Sequence, residues 1–165
     1  MYVIDKYDLK IVKMLMKDGR MNASEIAREI GDLSERSVRY RIQRMVEDKY
    51  IRISAIVIPK AFGFNVIADV WVEVESSYIQ EVAQKIVEFD CVSYVATSIG
   101  EKDISVQIYA RDNSEVYNFV TEVIGHLPGV RKTVTSIVPI VLKDVYDWSI
   151  PPDPDSGGKS TRSLD

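Results

Sequence analysis

Residues 33–51 read LSERSVRYRIQRMVEDKYI, and this stretch decides how the first half of the chain folds. Ser34 is a typical N-cap residue, and apolar side chains recur after it at helical spacing, which predicts a helix over 34–48 with one core-facing stripe. The stripe consists of Val38, Ile42, Met45 and Val46. Four arginines and no lysine occur from Arg36 to Arg44. Because guanidinium groups bind phosphate and the guanine edge in a two-pronged way, the opposite side of this helix is suited to a polyanion.

Two shorter helices come before this one. The spacing of apolar residues predicts a first helix over 5–17, which ends near Gly19. Asn22 and Glu25 form a capping-box pattern, so a second helix is predicted to begin there and to stop at Gly31. A helix, a short helix, a tight turn and a longer helix together are typical of a helix-turn-helix domain.

The charge of the chain is divided unevenly, which bears on the partner of the third helix. Positions 1–60 include 13 basic and nine acidic residues, a net charge of +4. Positions 61–165 include eight basic and 16 acidic residues, a net charge of −8. This division suits a basic half that faces a polyanion and an acidic half that stays away from it. The side chains predicted to contact double-stranded DNA are Ser34, Arg36, Ser37, Arg39, Tyr40, Arg41, Gln43 and Arg44. The alternative for these side chains is the ordinary solvated face of a charged helix.

After Phe64 the apolar period changes from helical to alternating, which predicts a different kind of domain. The predicted elements are a strand over 66–75, a helix over 77–89, strands over 92–99 and 103–110, a helix over 113–125 and a strand over 130–142. This β-α-β-β-α-β order is ferredoxin-like, with an antiparallel sheet and both helices on one face, so the fold class is α+β. The other face of the sheet then needs cover, and a partner subunit is the simplest. The residues that we expect on that face are Ile67, Trp71, Val95 and Tyr109.

These patterns divide the chain into four segments. We predict a helix-turn-helix, winged-helix-like domain over 1–50, a linker strand over 51–64, a ferredoxin-like domain over 65–145 and a C-terminal tail over 146–165. From Pro151 onward the tail is rich in Pro, Gly, Ser and Asp, a composition that buries little apolar surface and predicts a mobile end.

Composition argues against several classes of protein. The chain is 46% apolar and 28% charged, which is typical of a globular protein, and its longest uncharged apolar-rich run, over 133–142, is too short to span a membrane. A single cysteine, Cys91, and a single histidine, His126, predict neither an internal disulfide nor a His/Cys metal site, and they favour a cytoplasmic location. We therefore expect no metal, no cofactor and no membrane partner, and we identify no catalytic residues.

Three segments resemble the Lrp/AsnC (feast/famine) family of transcription regulators. DKYDLKIVKMLMKDGRMNASEIAREIG (5–31) is similar to the opening helices of that family, and LSERSVRYRIQRMVEDKYI (33–51) to its recognition helix and the approach to its linker. SIGEKDISVQIYA (98–110) resembles the hairpin of its effector-binding domain. The resemblance covers about residues 2–145. It implies a helix-turn-helix head joined by a strand to a ferredoxin-like ligand domain, in homodimers that assemble into tetramers or octamers.

The resemblance also implies that a free amino acid binds between subunits, near the hairpin from Gly100 to Asp103. An α-amino acid presents an ammonium, which can donate to Asp103, and a carboxylate, which can meet backbone N–H groups near Gly100, where no Cβ blocks the approach. The predicted effector-binding residues are Ser98, Gly100, Glu101, Asp103, Thr133, Thr135 and Ser136. Without the resemblance, a plain hairpin explains a glycine and an aspartate at a turn equally well.

We therefore predict a sequence-specific DNA-binding transcription regulator, and not an enzyme, whose second half oligomerises and binds a small effector such as an amino acid. Two alternatives stay open. Some haem-pathway decarboxylases share this two-part architecture, but they are expected to need histidine or other polar groups around a tetrapyrrole, and this chain has only His126. The other alternative is an interaction module whose basic helix binds an acidic protein instead of DNA.

Overall fold

Three helices make up most of the first unit of the computed structural model, which describes residues 2–148 and 150. They are α1 (Lys6–Lys17), α2 (Ala23–Ile30) and α3 (Glu35–Glu47). Each helix begins where a side chain, that of Asp5, Asn22 or Ser34, accepts hydrogen bonds from N–H groups of the first turn. The capping box predicted at Asn22 and Glu25 is present. Gly31 ends α2 with a φ of +81°, a conformation that favours glycine and allows the tight turn into α3.

One apolar core joins the three helices. Its buried members are Ile11, Val12, Ile26, Val38 and Met45. Val46, predicted for the same stripe, is 43% exposed, so that part of the prediction is wrong. A step of about 100° per residue turns Val46 away from the core side that Met45 occupies. Residues 143–148 and Ile150 belong to this unit as well, and Ile150 packs against the core.

The second unit, Val57–Leu142, contains a four-stranded antiparallel sheet. Its elements are β1 (Val66–Val74), α4 (Ile79–Val87), β2 (Val92–Thr97), β3 (Ile104–Ala110), α5 (Asn113–Asn118) and β4 (Val130–Val138). Helical backbone continues from α5 through a π-helical turn, Phe119–Val123, and a 3₁₀ turn, Ile124–His126. The strand order is β2-β3-β1-β4. The predicted ferredoxin-like β-α-β-β-α-β arrangement, and with it the α+β class, is confirmed.

One face of the sheet is covered by the helices. Buried side chains of β1 and β3 alternate with less buried ones, and they form one core with α4 and α5. Ile67, Trp71 and Tyr109 are partly buried and lie on the opposite, open face, as predicted. Val95, predicted for the open face, pairs with Val106 and packs against the core, so this prediction is wrong.

The reason for the error at Val95 is a β-bulge in β2. Val92 pairs with Ile108, but Tyr94 pairs with Gln107, so the strand contains one residue more than its partner. An extra residue reverses the alternation of side chains between the two faces. Val92 and Val95 therefore both face the helices, and Tyr94 lies on the open face.

Some predicted boundaries also change. The last strand was predicted to reach residue 142, but β4 ends at Val138, because Pro139 has no N–H to continue the ladder. The predicted linker strand is not formed: residues 51–58 carry no strand hydrogen bonds, and Pro59–Phe62 form a 3₁₀ turn. The tail predicted to be mobile from residue 151 lies outside the described residues. Within the described part of the chain, no helix has the length and apolar character needed to cross a membrane.

Candidate functional site

The side of α3 that points away from the core is basic and polar. At about 100° per residue, Arg36, Tyr40 and Gln43 lie opposite the buried Val38. All three are exposed, with Tyr40 59% exposed despite its aromatic ring. The polar flanks of this side consist of Arg39 on one edge and Ser37 and Arg44 on the other. We call this surface, formed by Arg36, Ser37, Arg39, Tyr40, Gln43 and Arg44, the outer face of α3.

Ser34 stands at the start of this surface and organises its first turn. Its side-chain oxygen accepts the N–H of Ser37 at 3.2 Å, and the two hydroxyl oxygens lie 2.9 Å apart. The N-terminal end of a helix carries partial positive charge and free N–H groups, which favour an anion such as a DNA phosphate. The sequence predicted both serines as DNA contacts, and the structure brings them together at this end of α3.

The arginines of the outer face differ in how they are held. The side chain of Arg36 is exposed and makes no hydrogen bond or ion pair within residues 2–148 and 150. Arg39 pairs with Glu35 one turn earlier. Arg44 lies 3.2 Å from Asp48 and 3.6 Å from Glu47, and its buried Nε finds no hydrogen-bond partner in the described structure. Arg36 can therefore bind DNA without first breaking an ion pair within the described residues, unlike Arg39 and Arg44.

Arg41 does not belong to the outer face. Its side chain is only 22% exposed, and its Nη1 lies 2.9 Å from Asp5 and 2.9 Å from the buried Asp8. A guanidinium that neutralises a buried carboxylate is not free to bind phosphate. If it moved to the DNA, the carboxylate would stay inside the protein as an unpaired charge. We therefore revise the predicted DNA-contacting set by removing Arg41. Nothing in the spacing of α3 alone indicates this, because both carboxylates lie more than 30 residues earlier in the chain.

The predicted effector residues of the hairpin lie in the loop between β2 and β3. Gly100 has a φ of +149°, and a Cβ built there would meet no atom within 4 Å, so its backbone is open to an approaching molecule. Asp103 already accepts the N–H of Val74 at 2.8 Å through one carboxylate oxygen. The hydroxyl of Ser98 donates to the carbonyl of Lys102 at 2.6 Å, and Glu101 is exposed. One oxygen of Asp103 is thus committed to the fold.

The three predicted residues of β4 lie elsewhere on the sheet. In the register, Thr133 and Thr135 pair with Val72 and Val70, which face the helices, whereas Ser136 pairs with Asp69 on the open face. The order β2-β3-β1-β4 also puts β4 and the hairpin on opposite sides of β1. Within one protomer β1 therefore separates the β4 residues from the hairpin, although Thr133 pairs with Val72, whose carbonyl accepts the N–H of Asp103 at 3.2 Å.

A charged cluster beside the hairpin was not predicted from the sequence. Glu73 lies 2.5 Å from Lys102 and 3.8 Å from Lys132. The hydrogen bond from Lys102 and the nearby charges of Lys132 and Arg131 lower the pKa of Glu73, despite the opposing effect of burial. Lysines on the loop and on β4 converge here because β1 lies between them in the sheet. Only the strand order reveals this cluster.

Comparison with known proteins assigns the family. A family model described as the Lrp/AsnC ligand binding domain matches residues 67–146, and a winged helix-turn-helix DNA-binding model matches residues 4–52. The HTH-type transcriptional regulator FL11 of Pyrococcus furiosus is 34% identical over 149 residues, which cover 90% of this chain and 97% of that relative. The HTH-type transcriptional regulator LrpA of Pyrococcus horikoshii is 33% identical over 142 residues, which cover 86% of this chain and 100% of that relative.

Solved structures show the same fold. E. coli AsnC superposes with a TM-score of 0.79 at 22% identity, over 88% of this chain and 99% of that one. The transcriptional regulator NMB0573 of Neisseria meningitidis, solved in complex with L-Met, superposes with a TM-score of 0.82 at 21% identity, over 90% and 97%. The chain belongs to the Lrp/AsnC family of transcriptional regulators, with a helix-turn-helix DNA-binding domain and an Lrp/AsnC ligand-binding domain.

Proposed function

We propose that this regulator acts by laying the outer face of α3 in the major groove of double-stranded DNA. The observation that carries the proposal is Arg36, an exposed guanidinium in the first turn of α3 without an ion pair among the described residues. Residues at the N-terminal end of a recognition helix reach base edges in helix-turn-helix proteins. Tyr40 and Gln43 follow at spacings of one turn and supply further hydrogen-bonding groups. The proposed phosphate contacts are Ser34, Ser37, Arg39 and Arg44.

Two copies on one DNA site are part of the proposal. We assign 1–50 to DNA binding, 51–64 to the linker, 65–145 to oligomerisation and effector binding, and 146–165 to the tail. A homodimer presents two α3 helices to successive major grooves, about 34 Å apart, on a near-palindromic site. The partner's sheet gives cover to the open face, and larger assemblies of four or eight subunits follow from contacts between such dimers.

Selection of bound sequences from a random pool of duplex DNA tests the function directly. The purified protein is mixed with the pool, and bound duplexes are recovered and sequenced, with and without each of the twenty amino acids. We expect enriched near-palindromic sites with half-sites about one helical turn apart. Recovery of no preferred sequence under any of these conditions contradicts sequence-specific binding.

Replacing Val134 by aspartate is expected to break the proposed dimer. Val134 is 36% exposed and pairs across the strands with Trp71 on the open face. Burying a charge there without a partner should raise the dissociation constant about a hundredfold or more, as measured by light scattering over a dilution series. Val87, which is 58% exposed on α4, provides the matched control Val87→Asp, and that variant should assemble like the wild type. Unchanged assembly of Val134→Asp contradicts an interface on the open face.

The effector belongs to the proposal as well. The neisserial neighbour was solved with L-Met, and the family model describes a ligand-binding domain, so we propose an amino acid near Gly100 and Asp103. The free oxygen of Asp103 accepts from the ammonium, and the backbone at Gly100 meets the carboxylate. We propose that residues of β4, namely Thr133, Thr135 and Ser136, join this site from another subunit, because β1 separates them from the hairpin in their own.

Asparagine at position 103 is expected to separate ligand binding from folding. Asp103→Asn keeps an oxygen for the N–H of Val74 and removes the charge that an ammonium needs. We expect affinity for the preferred amino acid to fall about tenfold or more in calorimetry, with the melting temperature nearly unchanged. The control Asp90→Asn removes an equal charge from an exposed turn and should bind normally. Equal affinities of Asp103→Asn and the wild type contradict the assigned site.

Both alternatives have a direct test. The two Pyrococcus relatives are named as transcriptional regulators, which weighs against a haem-pathway decarboxylase, and a sample that binds no tetrapyrrole dismisses that activity. A DNA mobility shift that persists against nonspecific competitor DNA dismisses a module that binds only acidic proteins. The cytoplasmic location predicted from the single cysteine suits a DNA-binding regulator and remains part of the proposal.

A further inference from the structure

The first residues of the chain are tied to the middle of α3 by a polar network. Asp8 of α1 is 0% exposed, although it is an acidic residue. Its Oδ1 accepts a hydrogen bond from the hydroxyl of Tyr2 at 2.7 Å and one from Nη1 of Arg41 at 2.9 Å. The same Nη1 donates to Oδ2 of Asp5 at 2.9 Å. A buried carboxylate needs both a counter-charge and hydrogen bonds, and Arg41 supplies the counter-charge of Asp8.

The network shares its carboxylates with the start of α1. Oδ1 of Asp5 accepts the N–H groups of Tyr7 and Asp8 at 2.8 and 3.0 Å, while its Oδ2 binds Arg41. Oδ2 of Asp8 accepts the N–H of Asp5 at 3.0 Å, while its Oδ1 binds Arg41. Each carboxylate thus uses one oxygen to cap α1 and the other to hold α3. A rotation of α3 that releases Arg41 therefore leaves both of the carboxylates that cap α1 without their cation.

A second contact holds the far end of α3. The hydroxyl of Tyr50, just after the helix, donates to the carbonyl of Tyr2 at 2.7 Å, and the two rings meet edge to face with centroids 6.3 Å apart. The segment from Tyr2 to Asp8 therefore holds α3 at its middle and beyond its end. An open cleft of about 450 Å³ between this segment and α3 is lined by Arg36 and Tyr40 as well, so the network borders the outer face.

Tyr2, Asp5 and Arg41 keep their ionisation states around neutral pH. Burial and the hydrogen bond to Asp8 raise the pKa of Tyr2 to about 12, so its hydroxyl keeps its proton. Burial alone would raise the pKa of Asp5, but hydrogen bonds from the N–H of Asp8 and from Arg41 outweigh it and lower that pKa. Burial opposes the charge of Arg41, but hydrogen bonds to Asp8 and Asp5 raise its pKa above the usual value.

We propose that Arg41 is a positioning residue, which with Asp8, Asp5 and Tyr2 fixes the rotation of α3 about its own axis and thereby aims the outer face at the DNA bases. The inference rests on the proposed DNA-binding function and deepens it. Base readout needs side chains held within about 0.5 Å and 10–20° of the productive geometry. A helix held only by apolar side chains has no such directional lock, whereas hydrogen bonds from one guanidinium to two carboxylates have strict geometry.

The variants Asp8→Asn and Arg41→Gln, made singly and together in the full chain, test this inference. Binding is titrated on the selected duplex and on a scrambled duplex at several salt concentrations. Asp8 is completely buried, so Asp8→Asn removes no contact with DNA, and its effect on binding comes from a change inside the head. We expect each single variant to bind the selected duplex about tenfold more weakly, with little change on the scrambled duplex or in the salt slope. The double variant should be much less affected than the product of the two effects, because both variants break one network.

Tyr2→Phe provides a third, milder variant in case Asp8→Asn does not fold, because it removes one hydrogen bond and keeps the ring beside Tyr50. Like the other two variants, it should lower the ratio of selected to scrambled affinity.

Two results overturn the inference while the wild type still prefers its selected duplex. In one, Arg41→Gln lowers the salt slope by about one and Asp8→Asn and Tyr2→Phe bind normally, which makes Arg41 a phosphate contact. In the other, the variants melt earlier but keep the full affinity ratio, which makes the network purely structural. A wild type without any sequence preference is different, because it refutes the proposed function itself.

Discussion

Alanine in place of Arg36 should weaken binding to the selected duplex by about 5- to 150-fold, the effect of losing one two-pronged contact to a base. Arg36 is exposed in the first turn of α3 and has no hydrogen bond or ion pair elsewhere in the described part of the chain. Truncating its side chain therefore breaks no hydrogen bond or ion pair among the described residues, and the melting temperature should stay unchanged. Titration of the selected duplex with each protein, followed by fluorescence anisotropy, measures the effect.

Arg111→Ala is the matched control for this prediction. Arg111 lies in the second unit, has a side chain that is 70% exposed and pairs with Glu115, so the variant loses the same charge far along the chain from α3. Its affinity for the selected duplex should equal that of the wild type. If Arg111→Ala and Arg36→Ala lose affinity equally, the effect is one of general charge. If Arg36→Ala binds as tightly as the wild type at every salt concentration, the assignment of the outer face is wrong.

Alanine in place of Gly129 should destabilise the second unit by roughly 2–5 kcal/mol, through backbone strain and steric overlap together. Gly129 has a φ of +84° in the turn before β4, and its carbonyl accepts the N–H of Glu75 at 2.8 Å. A Cβ there would lie 2.5 Å from Cβ and from Cγ of Tyr78, which packs against the core. Since Cβ and Cγ sit next to the backbone, the ring cannot simply swing away. Urea unfolding followed by circular dichroism measures the loss.

Gly63→Ala separates the two causes. Gly63 has nearly the same φ, +85°, but a Cβ there meets no atom within 4 Å. This variant should lose only the conformational part, roughly 1–2 kcal/mol. Equal losses in the two variants would show that the contact between Gly129 and Tyr78 is not as tight as the structure has it.

Local signals made the helices of the head predictable. Asn22 and Ser34 cap α2 and α3 as their sequence positions indicate, because capping depends on residues only two or three positions apart. The ferredoxin-like arrangement of the second unit, an antiparallel sheet with both helices on one face, followed from its β-α-β-β-α-β pattern, since two such halves have few ways to pack. The bulge in β2 was not predictable in this way, because no glycine or proline marks it, and it moved Val95 to the helix side.

The candidate sites depended on contacts that are distant in sequence. Arg41 looks like the other arginines of α3, and only the approach of Asp5 and Asp8 removes it from the outer face. The predicted effector residues have side chains or backbone suited to an amino acid, but they do not lie together, because β1 separates the hairpin from β4. The cluster around Glu73 needs the same strand order to be seen. The types of side chain were enough to predict the chemistry of these sites. Which residues make up each site depends on how the chain packs, and the sequence alone does not show this.

Binding to modified DNA tests most directly whether α3 reads the major groove. Guanines of the selected half-site are replaced either by 7-deazaguanine, which lacks the N7 acceptor of the major groove, or by inosine, which lacks the amino group of the minor groove. We expect 7-deazaguanine to weaken binding by about tenfold or more at one or more positions, and inosine to have little effect. Full affinity for the 7-deazaguanine duplexes together with a loss on inosine would place the contacts in the minor groove and refute readout of the major groove by α3.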